Sequence, residues 1–172
     1  MAIDAYAWYK GGKIVPKGET QDSTASKEGG FDVIDFSFGM ENVVNVGSAS
    51  GGLASGRATF ERMVINKFTD TATCDLVLAS CTGTHIDEFH LSIRKGGTDA
   101  KSSGGEYVHV QLNNILVESV KWSGADGDEA FKDEVTMAYA AIQIKYKKQD
   151  YKGALSDGGT VQWNQTKNEA VL

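Results

Sequence analysis

The chain has 172 residues, 41% of them hydrophobic, with a net charge of −6 and a pI near 5.0. That length suits one domain with a sizeable core, and a single domain over residues 1–172 is expected. The acidic balance argues against nucleic acid and against an anionic membrane surface, because phosphate binding needs a basic footprint. No run approaches the ~18 apolar residues of a membrane span, so membrane insertion is not expected.

Ile3 to Lys10 predicts a first strand, followed by a turn-rich segment from Gly11 to Gly30. Asp4 and the Lys10-Gly11-Gly12-Lys13 interruption do not fit a signal peptide, so the N-terminus reads as cytoplasmic. From Phe31 to Met40 the residues alternate, with Ile34, Phe36, Phe38 and Met40 predicted on one buried face. A Gly-rich loop spans Gly47 to Gly56, and a strand is predicted from Arg57 to Phe68. Asp70 or Thr71 then caps a helix that Gly83 ends. Along it Cys74, Val77, Leu78 and Cys81 recur at helical spacing, so both cysteines are expected to be buried thiols. Seven residues apart on one helix, the two lie ~10.5 Å apart, too far for a disulfide. A strand from Ile86 to Lys95 turns Phe89, Leu91 and Ile93 inward, and Gly96 to Gly105 forms another turn.

The most informative stretch is Tyr107 to Tyr146, two long strand-like runs joined by a polar turn. In the first, Val108, Val110, Leu112, Leu116 and Val120 share one parity. In the second, Val135, Met137 and Tyr139 are apolar on one parity and Ile142, Ile144 and Tyr146 on the other. A strand from Glu106 to Trp122 spans about 50 Å at ~3.3 Å per residue, so it must bend, and Asn113-Asn114 is the expected place. After a link over Gly153–Gly159, a tail strand is predicted around Val161 to Gln165. The fold class is therefore mostly β: a barrel-like pair of antiparallel sheets with one short helix and a protruding Gly-rich loop, from about seven or eight strands.

No constellation carries obvious chemistry. The histidines His85, His90 and His109 lack HxH or HxxxH spacing. His90 and His109 fall on the polar parity of their strands and would face each other if those strands were neighbours, but two ligands without a paired carboxylate make a poor metal site. Cys81 near His85 suggests a nucleophile pair, yet a thiol on an apolar helix face is inert. The acidic residues Asp126, Asp128, Glu129, Asp133 and Glu134 lack the ligand alternation of a Ca²⁺ loop. The loop at 47–56 leads into a strand and not into a helix N-terminus, so it is not a phosphate loop. No catalytic residue, metal or cofactor is assigned, and the chain is read as a non-enzyme.

The segments NNILVESVKWSG and KDEVTMAYAAIQIKYKKQD resemble the C-terminal half of Hcp, the family that forms the inner tube of the bacterial type VI secretion system. MAIDAYAWY, FDVIDFSFGM, DTATCDLVLASCTG, FHLSIRKGG and GGTVQWNQTKN fit the same pattern in order, so the resemblance covers nearly the whole chain. It implies a homohexameric ring whose copies stack into a hollow tube, inside a contractile sheath and tipped by a spike protein. It also implies effectors bound in the lumen, and export from the bacterial cytoplasm without a cleaved signal. On that reading Gly47, Ser48, Ser50, Gly51, Gly52, Leu53, Ser55 and Gly56 form a ring-stacking loop, and no effector domain follows the Trp163 tail. The competing class is a small-molecule carrier built as a lipocalin-like barrel. A third is an enzyme on a β scaffold.

Overall fold

The structure, a computed structural model, describes residues 3–46, 53–95, 105–127, 130–151 and 154–172. Its strands are β1 (Ile3–Lys10), β2 (Phe31–Ser37), β3 (Met40–Val46), β4 (Leu53–Phe60), β5 (Met63–Phe68), β6 (His85–Lys95), β7 (Glu106–Ser123), β8 (Lys132–Gln149) and β9 (Leu155–Asn164). The helix α1 runs Thr71–Thr82. The large sheet has the order β5-β2-β1-β6-β7-β8-β9, and β5 also pairs with β8. That last pairing, from Met63↔Met137 to Phe68↔Lys132, closes a six-stranded antiparallel barrel. β9 is added to the far half of β8, from Ala141↔Asn164 to Gln149↔Leu155. β3 and β4 form a separate two-stranded ribbon.

The mostly β class is borne out, and four boundaries change. The run Phe31–Met40 divides, because the chain turns at Phe38-Gly39 and Met40 begins the ribbon. Arg57–Phe68 divides likewise at Glu61-Arg62, where the Glu61 N–H donates to the Gly39 carbonyl at 2.9 Å. The ribbon continues through Leu53, so Leu53, Ser55 and Gly56 belong to β4 and not to a loop. The tail strand starts at Leu155, because a bulge between Tyr146 and Lys147 lets it continue along β8 past Gly158-Gly159.

The barrel interior is filled. Tyr9, Phe31, Met63, Ile65, Phe89, Leu112, Ile115 and Met137 are all fully buried there, the close packing expected of a small barrel. Two irregularities decide which residues point in. At Ile34 the register slips between Val33↔Lys67 and Asp35↔Asn66. Phe31 and Val33 therefore point inward before the bulge and Phe36 after it, while Ile34 is 42% exposed. Met40, expected inside, is also exposed. At Asn114 the backbone takes φ 54, the left-handed region that Asn tolerates. Val110 and Leu112 face the core on one side of it and Ile115 and Val117 on the other. Hence Ile115 is buried where Leu116 was expected. β8 switches face opposite, from Tyr139 to Ile142. A face switch therefore stands at Asn113-Asn114, where a bend was expected.

Helix α1 begins at a capping box: the Asp70 side chain accepts from the Ala72 N–H, and the Thr73 hydroxyl accepts from the Asp70 N–H. Gly83 ends it at φ 62. Its buried face is Ala72, Thr73, Leu76 and Ala79. The expected stripe is the wrong one: Cys74 and Cys81 are free and exposed, and Leu78 is half exposed. The small residues Ala72 and Ala79 let the helix lie close against the barrel, and Cys74 and Cys81 fall outside that seam. The helix N-terminus is fixed to the barrel by Lys67, whose Nζ donates to Asp70 Oδ1 at 2.7 Å, Thr73 Oγ1 at 3.1 Å and Asp133 Oδ2 at 3.2 Å.

Candidate assembly surfaces

Closing the barrel removes most strand edges but not all. β9 ends the large sheet, and among the described residues its outer backbone row meets no strand, only the isolated bridge Asn164↔Glu169 at its end. Among the described residues the ribbon β3–β4 pairs only with itself, in register from Met40↔Phe60 to Val46↔Leu53 with a bulge between Asn42 and Val44. Such edges are templates for pairing with another chain unless something covers them. The ribbon is anchored at its base. Phe60 packs edge-on against Tyr139, ring centroids 6.2 Å apart, and the Arg57 guanidinium donates to the Gln165 carbonyl oxygen.

Gln165 sits where β8 changes partner. Its N–H donates to the Ala140 carbonyl and its side-chain amide to the Tyr139 carbonyl, both at 2.8 Å. Those carbonyls lie between the stretch of β8 held by β5 and the stretch held by β9.

At one barrel end three aromatic side chains stand in water: Phe68, Trp122 and Phe131. The register brings them together, since Phe68 pairs with Lys132 and Trp122 with Asp133. Phe131 lies in the turn that the sequence presents as polar. Phe131, alone among acidic and small residues, was the available signal.

Of the proposed stacking loop, Gly47, Ser48, Ser50, Gly51 and Gly52 lie outside the described residues, and Leu53, Ser55 and Gly56 are in β4. The histidines do meet. His90 Nδ1 lies 3.1 Å from His109 Nε2, and Trp8 stacks on His90 at 5.3 Å. Among the described residues no group of three or more His, Cys, Asp or Glu could hold a metal ion. Cys81 is exposed, and no hydrogen bond joins it to His85 among the described residues.

With an open-edged barrel, one side helix and a self-paired ribbon in place, comparison with known proteins is direct. Residues 6–146 match the family model described as "Type VI secretion system effector, Hcp". The chain belongs to the Hcp family. It is 32% identical over 170 residues to the protein hcp1 of Pseudomonas aeruginosa, covering 98% of each. Among solved structures it is similar to one described as a type six secretion system protein, with TM-score 0.86 and 22% identity over 98% of this chain and 99% of the other. It is also similar to Hcp1 of Salmonella typhimurium, with TM-score 0.74 and 19% identity over 99% of this chain and 100% of that one. At those identities the two structures establish a shared Hcp fold.

Proposed function

We propose that this chain is a structural subunit of the type VI secretion tube, acting as one domain over residues 1–172. Six protomers close a homohexameric ring through side-to-side contacts, and rings stack into a hollow tube. The tube is assembled in the bacterial cytoplasm inside contractile sheath proteins, carries a spike protein at its tip, and is expelled without a cleaved signal. Effectors travel in its lumen, where the subunit also chaperones them. No chemistry is assigned to the subunit itself.

The observation that carries this reading is whole-length Hcp family membership together with open strand edges on a folded barrel. A rotation that divides the circle turns such heterologous contacts into a closed ring, and multiplicity strengthens contacts that are individually weak. The ribbon β3–β4 and the aromatic end at Phe68, Trp122 and Phe131 are the surfaces proposed to meet neighbouring copies. A carrier reading finds no support, because side chains fill the barrel interior.

Native mass spectrometry at micromolar protein, paired with negative-stain electron microscopy, tests the proposal. A sixfold mass and hollow rings are expected. A strictly monomeric spectrum with no rings would overturn it.

A further inference from the structure

Four side chains on the polar face of β6 and β7 form an unbroken chain of hydrogen bonds. Glu88 Oε2 lies 3.0 Å from His90 Nε2. His90 Nδ1 lies 3.1 Å from His109 Nε2. His109 Nδ1 lies 2.9 Å from Glu106 Oε2. β6 and β7 are paired here, with His90 opposite Gln111 and Ser92 opposite His109, so the two rings are diagonal neighbours on one sheet face. Trp8 on β1 covers them, stacked on His90 and edge-on to His109 at 5.9 Å.

Each of the three links needs one proton between its two heavy atoms. Two neutral imidazoles supply only two. If each donates outward to its carboxylate, the inner nitrogens face each other as lone pairs at 3.1 Å. If one donates inward, a carboxylate link is lost. An imidazole is far more basic than a carboxylate, about 6.5 against about 4.3, so the missing proton belongs on the rings. We infer that His90 and His109 form a proton-binding site that holds one shared proton in the folded protein, clamped between Glu88 and Glu106. With both carboxylates ionised, the four groups then carry a single net negative charge.

The partner carboxylates favour one proton, and the rest of the surroundings oppose a second. Glu106 on β7 is held below its ordinary value: burial pushes it up, but the hydrogen bonds of His109 and Ser92 and the charges of His109 and Lys147 outweigh that. His90 is held below the ordinary histidine value, first by its burial and also by the charge of His109 and of Lys10 on β1, against the pull of Glu88. From β8, Lys145 lies directly across from His109. Two cationic rings side by side under Trp8 would add repulsion to desolvation. The terminal carboxylates reach water, with 38% and 31% of their side chains exposed, while His90 is 10% exposed. The shared proton therefore exchanges with solvent through the ends of the chain.

Linkage gives the pH dependence. Above the ordinary histidine pKa of about 6.5, the unfolded chain has two protons on these rings, whereas the three links of the folded pair require three, so stability falls as pH rises. Below it the unfolded chain has four and the folded one three, so stability also falls as pH drops. The pair is thus a latch joining β1, β6 and β7 that is strongest near neutral pH.

The test is ¹⁵N NMR of the histidine-labelled full-length protein at pH 7. Three protons summed over the four nitrogens of His90 and His109 are expected. Two neutral rings, each in a single tautomer and titrating independently, would overturn the inference. Thermal unfolding of wild type and His109→Gln from pH 5 to 9 gives a second readout. The difference in midpoint should peak near pH 6.5 and shrink on both sides. A difference that does not vary with pH would also overturn it.

Discussion

Lys67 and Asp133 form an ion pair at 3.2 Å between two side chains that are both 0% exposed. One lies on β5 and the other on β8, at the seam that closes the barrel, and they pair directly across it. The same Lys67 ammonium donates to the Phe68 carbonyl at 2.7 Å and to Asp70, the helix cap. Asp133 also accepts from the hydroxyls of Thr69 and Thr73. The site therefore satisfies its buried charges completely, which is the condition for tolerating them.

Lys67→Met should cost about 3–5 kcal/mol, because it leaves the Asp133 carboxylate buried without its cation. The double variant Lys67→Met/Asp133→Leu should recover much of that loss, since neither charge remains. Urea unfolding midpoints of the two variants provide the comparison. A single variant as stable as wild type would show that Asp133 finds another partner.

Tyr139 gives the opposite expectation. It is buried, and its hydroxyl has no hydrogen-bond partner among the described residues. Tyr139→Phe should change stability at pH 7 by less than about 1 kcal/mol, because no bond is lost. Burial raises the Tyr139 pKa to about 12, with Arg62 lowering it and Glu61 adding to the rise. A raised acid favours the folded state below the unfolded value of about 10. That contribution disappears as pH rises from about 10 toward 12. Tyrosinate absorbance should show one fewer late-titrating tyrosine in the variant.

Cys74 and Cys81 should both react with a thiol reagent in the folded protein, because both are exposed. No intramolecular bridge should form, since α1 holds them seven residues apart on one rod. Mass spectrometry after labelling without denaturant reads this. Labelling that required unfolding would contradict the placement of the helix face.

Replacing residues 47–52 with a two-residue turn should leave the fold and the ring mass unchanged. The pair Val46↔Leu53 already brings the strand ends together, and shortening a connection changes closure entropy only slightly. Tube assembly should weaken, because each ring loses six contacts at once in the proposed hexamer. Normal tubes from the shortened protein would make this segment a passive turn. An unfolded protomer would make it structural.

Much of this architecture was legible in the sequence, and the exceptions share a cause. Alternation placed β1, β6, β7 and β8, and cap chemistry placed α1 from Asp70 to Gly83. Periodicity failed where a strand changed face. The bulge at Ile34 inverted the expected burial of Ile34, and the left-handed residue Asn114 inverted that of Ile115 and Leu116. Neither event alters composition, so a parity count runs straight through them. The helix stripe failed because Ala72, Thr73 and Ala79 are small or polar and score weakly beside Cys and Leu, yet small residues are what a close helix contact requires. Polar parity foretold that His90 and His109 would face each other if adjacent. The flanking Glu88 and Glu106 could not be assigned until the β6–β7 register was known. Trp122 and Phe131 were hidden by their acidic, glycine-containing neighbourhood.

β8 is held differently along its length, and this divides its amides into two kinetic populations. Residues 132–137 are paired by β7 and β5, inside a closed hydrogen-bonded cycle that opens only if the barrel does. Residues 141–149 are paired by β9, with 141–146 also paired by β7, and β9 has no further strand outside it. Peeling away the tail is then a sub-global opening that leaves the barrel intact. Hydrogen exchange should report slow amides on the first segment and faster, tail-dependent amides on the second. Truncation before Leu155 should erase protection of the 141–149 amides that face β9 while sparing 132–137.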